Sequence, residues 1–174
     1  MNNNPQSYYG LFIAILVFSI VWWGYGDAKT YEPKNNDLDC LAQNIYFEAK
    51  SESQAGQIAV GQVVLNRVRH NKYPNTVCEV IQQGPTYNWT EDFPVRHKCQ
   101  FSWYCDGKSD KIRNQTAWYQ AKQIAGVLLS MPDMVLNVVE DATHYHAHYV
   151  NPHWASKLQK VTRIDSHIFY RVND

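Results

Sequence analysis

The sequence lacks an excess of charge of either sign. Lysine and arginine together number 16, and so do aspartate and glutamate, which gives a formal net charge of +0 at pH 7. Proteins that bind nucleic acid neutralise backbone phosphates with clustered Lys and Arg side chains. A balanced chain offers no such cluster, so we predict that nucleic acid is not a partner.

Cysteines are few, and none has the Cys-x-x-Cys spacing that is typical of structural zinc sites. The four are Cys40, Cys78, Cys99 and Cys105. An even number in an exported domain predicts disulfides, with three possible pairings. Cys99 and Cys105 are close enough in sequence to close a small loop, which would leave Cys40 for Cys78. Spacing alone does not choose among the three pairings.

The first seven residues lack Lys and Arg, and residues 8–25 then form an almost unbroken apolar run. A helix of this length just crosses a hydrocarbon core of about 30 Å. A cleaved signal peptide would normally have a basic leader and small residues at the cut. We therefore predict a polar leader at 1–7, an uncleaved transmembrane signal-anchor at 8–25, a tether at 26–36 and one folded domain at 37–174.

Two consecutive helices are predicted on either side of a polar elbow at residues 51–53. Asn36 or Asp37 can cap the first helix and Ser53 the second. The first repeats apolar residues at three- and four-residue spacing, at Leu38, Leu41, Ala42, Ile45 and Ala49. The predicted buried face of the second is Ala55, Ile58, Ala59, Gln62, Val63 and Val68.

Glu48 and Glu52 flank this elbow. Glu48 follows Tyr46 and Phe47 in the last turn of the first helix, where burial would disfavour its charged form and raise its pKa. On a continuous helix Glu52 would share its face, and the like charges would repel. We predict that Glu48 is the harder of the two to ionise and donates a proton near neutral pH. The plain alternative is two solvated surface carboxylates.

Two further helices follow in the sequence. A capping box at 76–79 predicts a short helix that ends near residues 82–84. Asn114 or Thr116 can cap a long helix, which Pro132 stops.

A small β-region is predicted near the C-terminus. Residues 143–149 alternate like a strand, and residues 161–172 alternate again and are expected to pair with it. The first strand carries His144, His146 and His148 on one face. Three imidazoles at every second position are also a candidate zinc site with an open coordination position.

Several blocks of unusual sequence occur in order between residues 38 and 171. They are Cys40-Leu41-Ala42 through Glu48-Ala49, Gly56-Gln57-Ile58-Ala59-Val60, Val64-Leu65-Asn66-Arg67-Val68, Tyr73-Pro74-Asn75-Thr76-Val77-Cys78, Cys99-Gln100-Phe101-Ser102-Trp103, Ala142-Thr143-His144-Tyr145-His146 and His167-Ile168-Phe169-Tyr170-Arg171. Together they resemble the cell wall hydrolase family, which includes spore-cortex-lytic enzymes.

The resemblance implies an α+β, lysozyme-like domain, mainly helical with a small antiparallel β-region, here preceded by the one predicted transmembrane helix. It implies cleavage of peptidoglycan between N-acetylmuramic acid and N-acetylglucosamine, without cofactor or metal, by a lytic transglycosylase that forms 1,6-anhydro ends. Glu48 corresponds to the family's catalytic acid/base. Ser51 stands before Glu52 where the family often has Gly, which leaves the backbone of the elbow less certain.

Side chains that bind the glycan are expected in two places. An aromatic-rich stretch contributes Gln100, Ser102 and Trp103, because aromatic faces stack on sugars while amides and hydroxyls bond their oxygens. Its large aromatic residues are Tyr87, Trp89, Phe93, Phe101, Trp103 and Tyr104. The predicted strand contributes Tyr145 and His146.

Three alternatives remain open. Glu52 would be the second acid of a hydrolytic muramidase, because simple hydrolysis normally needs two carboxylates. The three strand histidines would serve a metal-dependent wall amidase or peptidase. A chain that kept the fold and lost the chemistry would be a silent peptidoglycan-binding envelope protein.

A wall-cutting function requires the domain to lie outside the cytoplasm. We therefore expect a single-pass protein of the inner (cytoplasmic) membrane, anchored through residues 8–25, with its domain on the periplasmic or extracytoplasmic face. Phage lysis and bacterial wall remodelling both suit such an arrangement.

Overall fold

The computed structural model of the protein describes residues 33–34, 36–90 and 93–173. The predicted leader, the signal-anchor and most of the tether lie outside the described residues. Within the described part, no helix combines the length and the hydropathy needed to span a bilayer.

Helices make up most of the regular secondary structure in the described chain. The α-helices are α1 Asp37–Ala49, α2 Gln54–Arg69, α3 Val77–Gln82 and α4 Gln115–Ser130. Short 3₁₀ helices occur at Ser102–Cys105, Pro132–Met134 and Ala155–Lys157. These bounds agree with the helices predicted from periodicity and capping residues.

The caps of three helices are confirmed. Ser53, Thr76 and Asn114 each accept a hydrogen bond from the backbone N–H three residues further on, which satisfies one of the free donors of the first turn. The start of α1 differs, because Asn36 occupies the N-cap position without a side-chain capping bond. There the Lys34 N–H donates a hydrogen bond to Asp37 Oδ2 at 2.6 Å.

The β-region is an antiparallel sheet of β1 His144–Ala147, β2 Gln159–Ile164 and β3 His167–Arg171, in the order β1-β3-β2. The predicted pairing of the two alternating segments is confirmed, since β1 pairs with β3. The prediction of one strand over 161–172 is wrong. Asp165 adopts a left-handed φ of 49° and turns the chain, so the segment forms a β2–β3 hairpin.

Two apolar clusters meet on α2. One lies among α1, α2, α3 and α4, and the other packs Ala59 and Val63 against Phe169 of the sheet. Two predicted members of the helical apolar faces are exposed, namely Leu38 and Ala55. In the first turn of α2, the residue that faces the β2–β3 turn is Gly56, and not its neighbour Ala55.

Candidate active site

Glu48 lies in the last turn of α1, as predicted, and is partly buried. The hydroxyl of Tyr145, from β1, donates a hydrogen bond to Glu48 Oε2 at 3.0 Å. Because α1 and β1 are far apart in sequence, this contact depends on the packing of the sheet against the helices.

The pKa of Glu48 is raised above its ordinary value of 4.5. Burial is the largest cause, because it disfavours the charged form, while the Tyr145 hydrogen bond and the charge of Arg67 oppose the rise. The predicted direction is therefore confirmed. Repulsion from Glu52 is not among its causes, since α1 ends before that residue.

Arg67 is the charged side chain that sequence reasoning missed. It is buried, its Nε donates to Thr143 O at 2.7 Å, and its guanidinium lies over the rings of Tyr73 and Phe101 at 5.4 and 5.1 Å. Its Nη1 is buried with no hydrogen-bond partner among the described residues. The available signal was an arginine placed among the apolar residues of α2.

His144 is neutral at neutral pH. Its Nδ1 lies 3.0 Å from Thr143 Oγ1. Burial lowers the pKa of His144 to about 4, and the charges of Arg67 and His70 add to the effect. The side chain can therefore accept or donate a hydrogen bond there without carrying a charge.

The structure does not assemble the three strand histidines into a metal site. His146 Nε2 lies 3.0 Å from the hydroxyl of Tyr170, and the two rings are stacked. His148 falls beyond the end of β1, where its Nδ1 is 3.1 Å from Ser166 O. No group of three His, Cys, Asp or Glu side chains in the described ranges is placed to hold a metal ion. The geometry gives the zinc alternative no support.

Glu52 has a structural partner. Its Oε1 accepts from the hydroxyl of Ser166 at 2.6 Å, and its Oε2 accepts from the Ser166 N–H at 3.1 Å. Beside it, Asp165 Oδ2 accepts from both the N–H and the hydroxyl of Ser53. We call these contacts the elbow clamp, because they fasten the elbow between α1 and α2 to the β2–β3 turn. This placement is at odds with the role of Glu52 as a second acid.

The predicted glycan-binding residues are placed differently from one another. Gln100 and Ser102 are exposed, whereas Trp103 is 9% exposed and belongs to the core. Phe47 stacks on one face of the Trp103 ring, with centroids 4.7 Å apart. The Trp103 indole N–H also donates to Asn44 Oδ1. A sugar-stacking role for Trp103 conflicts with this burial, because its ring face and its donor are already used.

Tyr145 and His146 point to opposite faces of the sheet. Tyr145 contacts Glu48 and the ring of Phe169, whereas His146 packs against Trp154. Strand alternation is the cause, since successive side chains leave opposite faces. The structure brings Tyr145 to the candidate acid and directs His146 elsewhere.

Both disulfides follow the pairing suggested by the short loop. Cys99 is bonded to Cys105, and Cys40 is bonded to Cys78. The Cys40–Cys78 bond joins α1 to α3. The Cys99–Cys105 bond closes the loop that contains Phe101 and Trp103.

The fold is that of a known catalytic domain. The crystal structure of the catalytic domain of Bacillus cereus SleB matches with a TM-score of 0.57 and 23% identity, over 85% of this chain and 99% of that one. The catalytic domain of the germination-specific lytic transglycosylase SleB from Bacillus anthracis matches with a TM-score of 0.58 and 24% identity, over 82% and 99%. At this identity the likeness establishes the fold alone.

The chain belongs to the Cell Wall Hydrolase family, whose sequence profile matches residues 51–170. This confirms the resemblance found in the sequence. Glu48 lies just before the matched segment.

Spore cortex-lytic enzymes are among its relatives. That of Bacillus subtilis (strain 168) is 47% identical over 47 residues, which is 27% of this chain and 15% of that protein. That of Bacillus cereus (strain ATCC 14579) is 39% identical over 57 residues, which is 33% of this chain and 22% of that protein. The alignments span less than a quarter of either relative.

Proposed function

We propose that the protein cleaves the glycan strands of peptidoglycan between N-acetylmuramic acid and N-acetylglucosamine, with Glu48 as the general acid and then the base. The observation that carries the proposal is the environment of Glu48, a partly buried carboxyl group with a raised pKa and a hydrogen bond from Tyr145. Membership of the Cell Wall Hydrolase family supports the choice of substrate.

A single carboxyl group suffices for a lytic transglycosylase. Protonated Glu48 gives its proton to the glycosidic oxygen as the bond from that oxygen to the muramyl C1 breaks. The Glu48 carboxylate then takes the proton of the muramyl C6 hydroxyl while O6 bonds to C1. The product carries a 1,6-anhydro end, no water is consumed, and Glu48 returns to its protonated form.

The neighbours of Glu48 suit a group that alternates between acid and base. Burial raises the pKa of Glu48 and so favours the protonated carboxyl group, which suits the first step. The charge of Arg67 and the hydroxyl of Tyr145 oppose that rise, because both favour the carboxylate that forms once the proton has left.

The transglycosylase outcome is preferred to hydrolysis for a structural reason. A hydrolytic muramidase normally needs a second carboxylate across the scissile bond. Glu52 accepts two hydrogen bonds from Ser166. Another carboxylate of the domain, Asp106, accepts a hydrogen bond from the Lys108 N–H and forms an ion pair with the Lys108 side chain. The activity named for the Bacillus anthracis protein of the same fold agrees with this preference.

Mass spectrometry of the fragments released from purified peptidoglycan tests the proposal. We expect anhydro-muramyl ends from the parent protein and none from Glu48→Gln, and we expect EDTA to change nothing. Reducing ends would identify a hydrolase and return attention to Glu52. Cut peptides that require a metal would overturn the proposal.

We also propose that residues 8–25 hold the enzyme on the cytoplasmic membrane, with the domain on its outer side, where it serves phage lysis or bacterial wall remodelling. Two disulfides support an oxidising compartment. Membrane fractionation of the full chain, with and without residues 8–25, tests the anchor. Recovery of the full chain in the soluble fraction would refute it.

A further inference from the structure

Three large aromatic side chains stand exposed on one loop. Tyr87, Trp89 and Phe93 are 40%, 75% and 60% exposed. We call residues 85–90 and 93–95, which carry them, the aromatic arm. Exposed apolar side chains that cluster mark a binding site more often than apolar side chains exposed singly, because leaving a large apolar surface in water costs free energy.

Neighbouring rings of the aromatic arm lie close to one another, one pair stacked and the other tilted. The centroids of Tyr87 and Trp89 are 5.7 Å apart with planes inclined by 21°, and those of Trp89 and Phe93 are 6.2 Å apart with planes inclined by 31°. The Tyr87 N–H donates to Phe93 O, and the Val95 N–H donates to Pro85 O at 2.8 Å. The backbone thus arranges the rings before any ligand arrives, which reduces the ordering cost of binding.

The loop that carries the aromatic arm continues to a residue that contacts the Glu48 turn. Just after it, the Gln100 N–H donates to Gln83 O at 2.9 Å, which ties the loop to the end of α3. The same loop then reaches Trp103, which stacks on Phe47, the residue before Glu48. The arm therefore belongs to the same loop as Trp103, whose ring packs against the Glu48 turn.

A sugar ring matches the chemistry of this surface. One face of a pyranose is lined by C–H groups and packs flat on an aromatic ring, while its hydroxyl and acetamido groups need polar neighbours. The exposed amide of Asn88 lies between Tyr87 and Trp89 in the chain and supplies such a neighbour. Trp89 is 75% exposed even with the rings of Tyr87 and Phe93 beside it, whereas the stacked ring of Trp103 is buried.

We propose that the aromatic arm is a glycan-binding subsite, in which Tyr87, Trp89 and Phe93 stack on sugar rings of a peptidoglycan strand away from the bond that is cut. The choice of ligand rests on the proposed function. The arm would hold long strands on the enzyme and leave the chemistry at Glu48 unchanged.

Binding to intact peptidoglycan sacculi tests the aromatic arm without turnover. The full chain carrying Glu48→Gln is sedimented with sacculi, alone and with Trp89→Ala added. One lost stacking contact should weaken binding by about two- to tenfold. Tyr119→Ala is the matched control, because Tyr119 is a 62% exposed aromatic residue on α4, and it should leave binding unchanged.

Separate measurement of KM and kcat provides a second test. With Glu48 intact, Trp89→Ala should raise KM on long glycan strands with little change in kcat. Equal binding of sacculi by the Trp89→Ala and Tyr119→Ala proteins would overturn the proposal. So would retained binding of sacculi by Trp89→Ala with loss of sedimentation on phosphatidylglycerol vesicles when both proteins lack residues 8–25, which would assign the rings to a membrane.

Failure of the proposed function would look different. A parent protein that releases no glycan fragments, yet binds sacculi through Trp89, would refute the enzyme and keep the subsite.

Discussion

At Glu48, three effects act on one carboxyl group. Burial raises its pKa, and the Tyr145 hydroxyl and the Arg67 charge lower it. A group placed in this way is poorly solvated as an ion, so the protein carries a stability cost at the position where chemistry is proposed.

Replacing Glu48 with Gln should therefore stabilise the protein at neutral pH. Between the unfolded value of 4.5 and the raised folded pKa, the folded protein binds more protons than the unfolded chain, so its stability falls as pH rises. Gln cannot ionise, and its amide oxygen can still accept from Tyr145. Urea unfolding should show similar stability for both proteins below pH 4.5 and a gain for the variant above it.

Glu52→Gln is the matched control for this prediction. It weakens two hydrogen bonds from Ser166 to a charged acceptor, so we expect a loss of about 1–2 kcal/mol at neutral pH. Equal stability of the parent and Glu48→Gln at every pH would show that the carboxyl group has an ordinary pKa.

Among the elements, the elbow clamp sets the position of the sheet relative to the helices. The Ser53 hydroxyl makes two hydrogen bonds. It accepts one from the Gly56 N–H, which caps α2, and it donates the other to Asp165. The β2–β3 turn is thereby fixed at the start of α2, and β1, which carries Tyr145, pairs with β3. The helix cap and the placement of Tyr145 near Glu48 thus share one set of contacts.

Gly56→Ala should disrupt the elbow clamp. A Cβ at this position would lie 2.5 Å from Asp165 Oδ2 and 2.9 Å from Glu52 Cβ, so the side chains that form the elbow clamp must shift. We expect a loss of about 1–3 kcal/mol in the free energy of unfolding, typical of overpacking. Denaturant unfolding of the variant measures it.

Gly126→Ala is the contrasting variant. Among the residues that the structure describes, its Cβ would meet only Leu38 Cδ1, at an ordinary 3.8 Å, in the interior of α4. Because Ala is the better helix former, we expect a gain of about 0.5–1 kcal/mol. Similar effects of the two substitutions would show that close approach to the turn does not matter at Gly56.

For the molecule as a whole, the two disulfides differ in the length of chain that they restrain. Cys40 and Cys78 are separated by 38 residues, whereas Cys99 and Cys105 are separated by 6. A longer closed loop removes more freedom from the unfolded chain. The Cys40–Cys78 bond should therefore contribute more to stability.

Thermal unfolding of the two double Cys→Ser variants tests this difference. Loss of the Cys40–Cys78 bond should cost about 4 kcal/mol, and loss of the Cys99–Cys105 bond about 2 kcal/mol. A larger loss from the short loop would show that its bond acts mainly by holding Phe101 and Trp103 in the core.

Much of the local architecture could be predicted, because its signals lie within a few residues of one another. Ser53, Thr76 and Asn114 cap the helices that their spacing indicated, and Glu48 falls in the last turn of α1. The hairpin in residues 161–172 was missed, because a left-handed Asp165 interrupts an alternation that otherwise continues.

The pattern of residues along the chain is enough to predict the helix bounds, the strand alternation and a candidate acid beside aromatic residues. Which side chains meet that acid depends on the packing of distant elements. That packing brought Tyr145 to Glu48, assigned Glu52 to Ser166, buried Arg67 and turned Trp103 into the core. The reason is physical: capping and periodicity are fixed by neighbours in the chain, whereas the partners and solvation of a side chain depend on how distant elements pack.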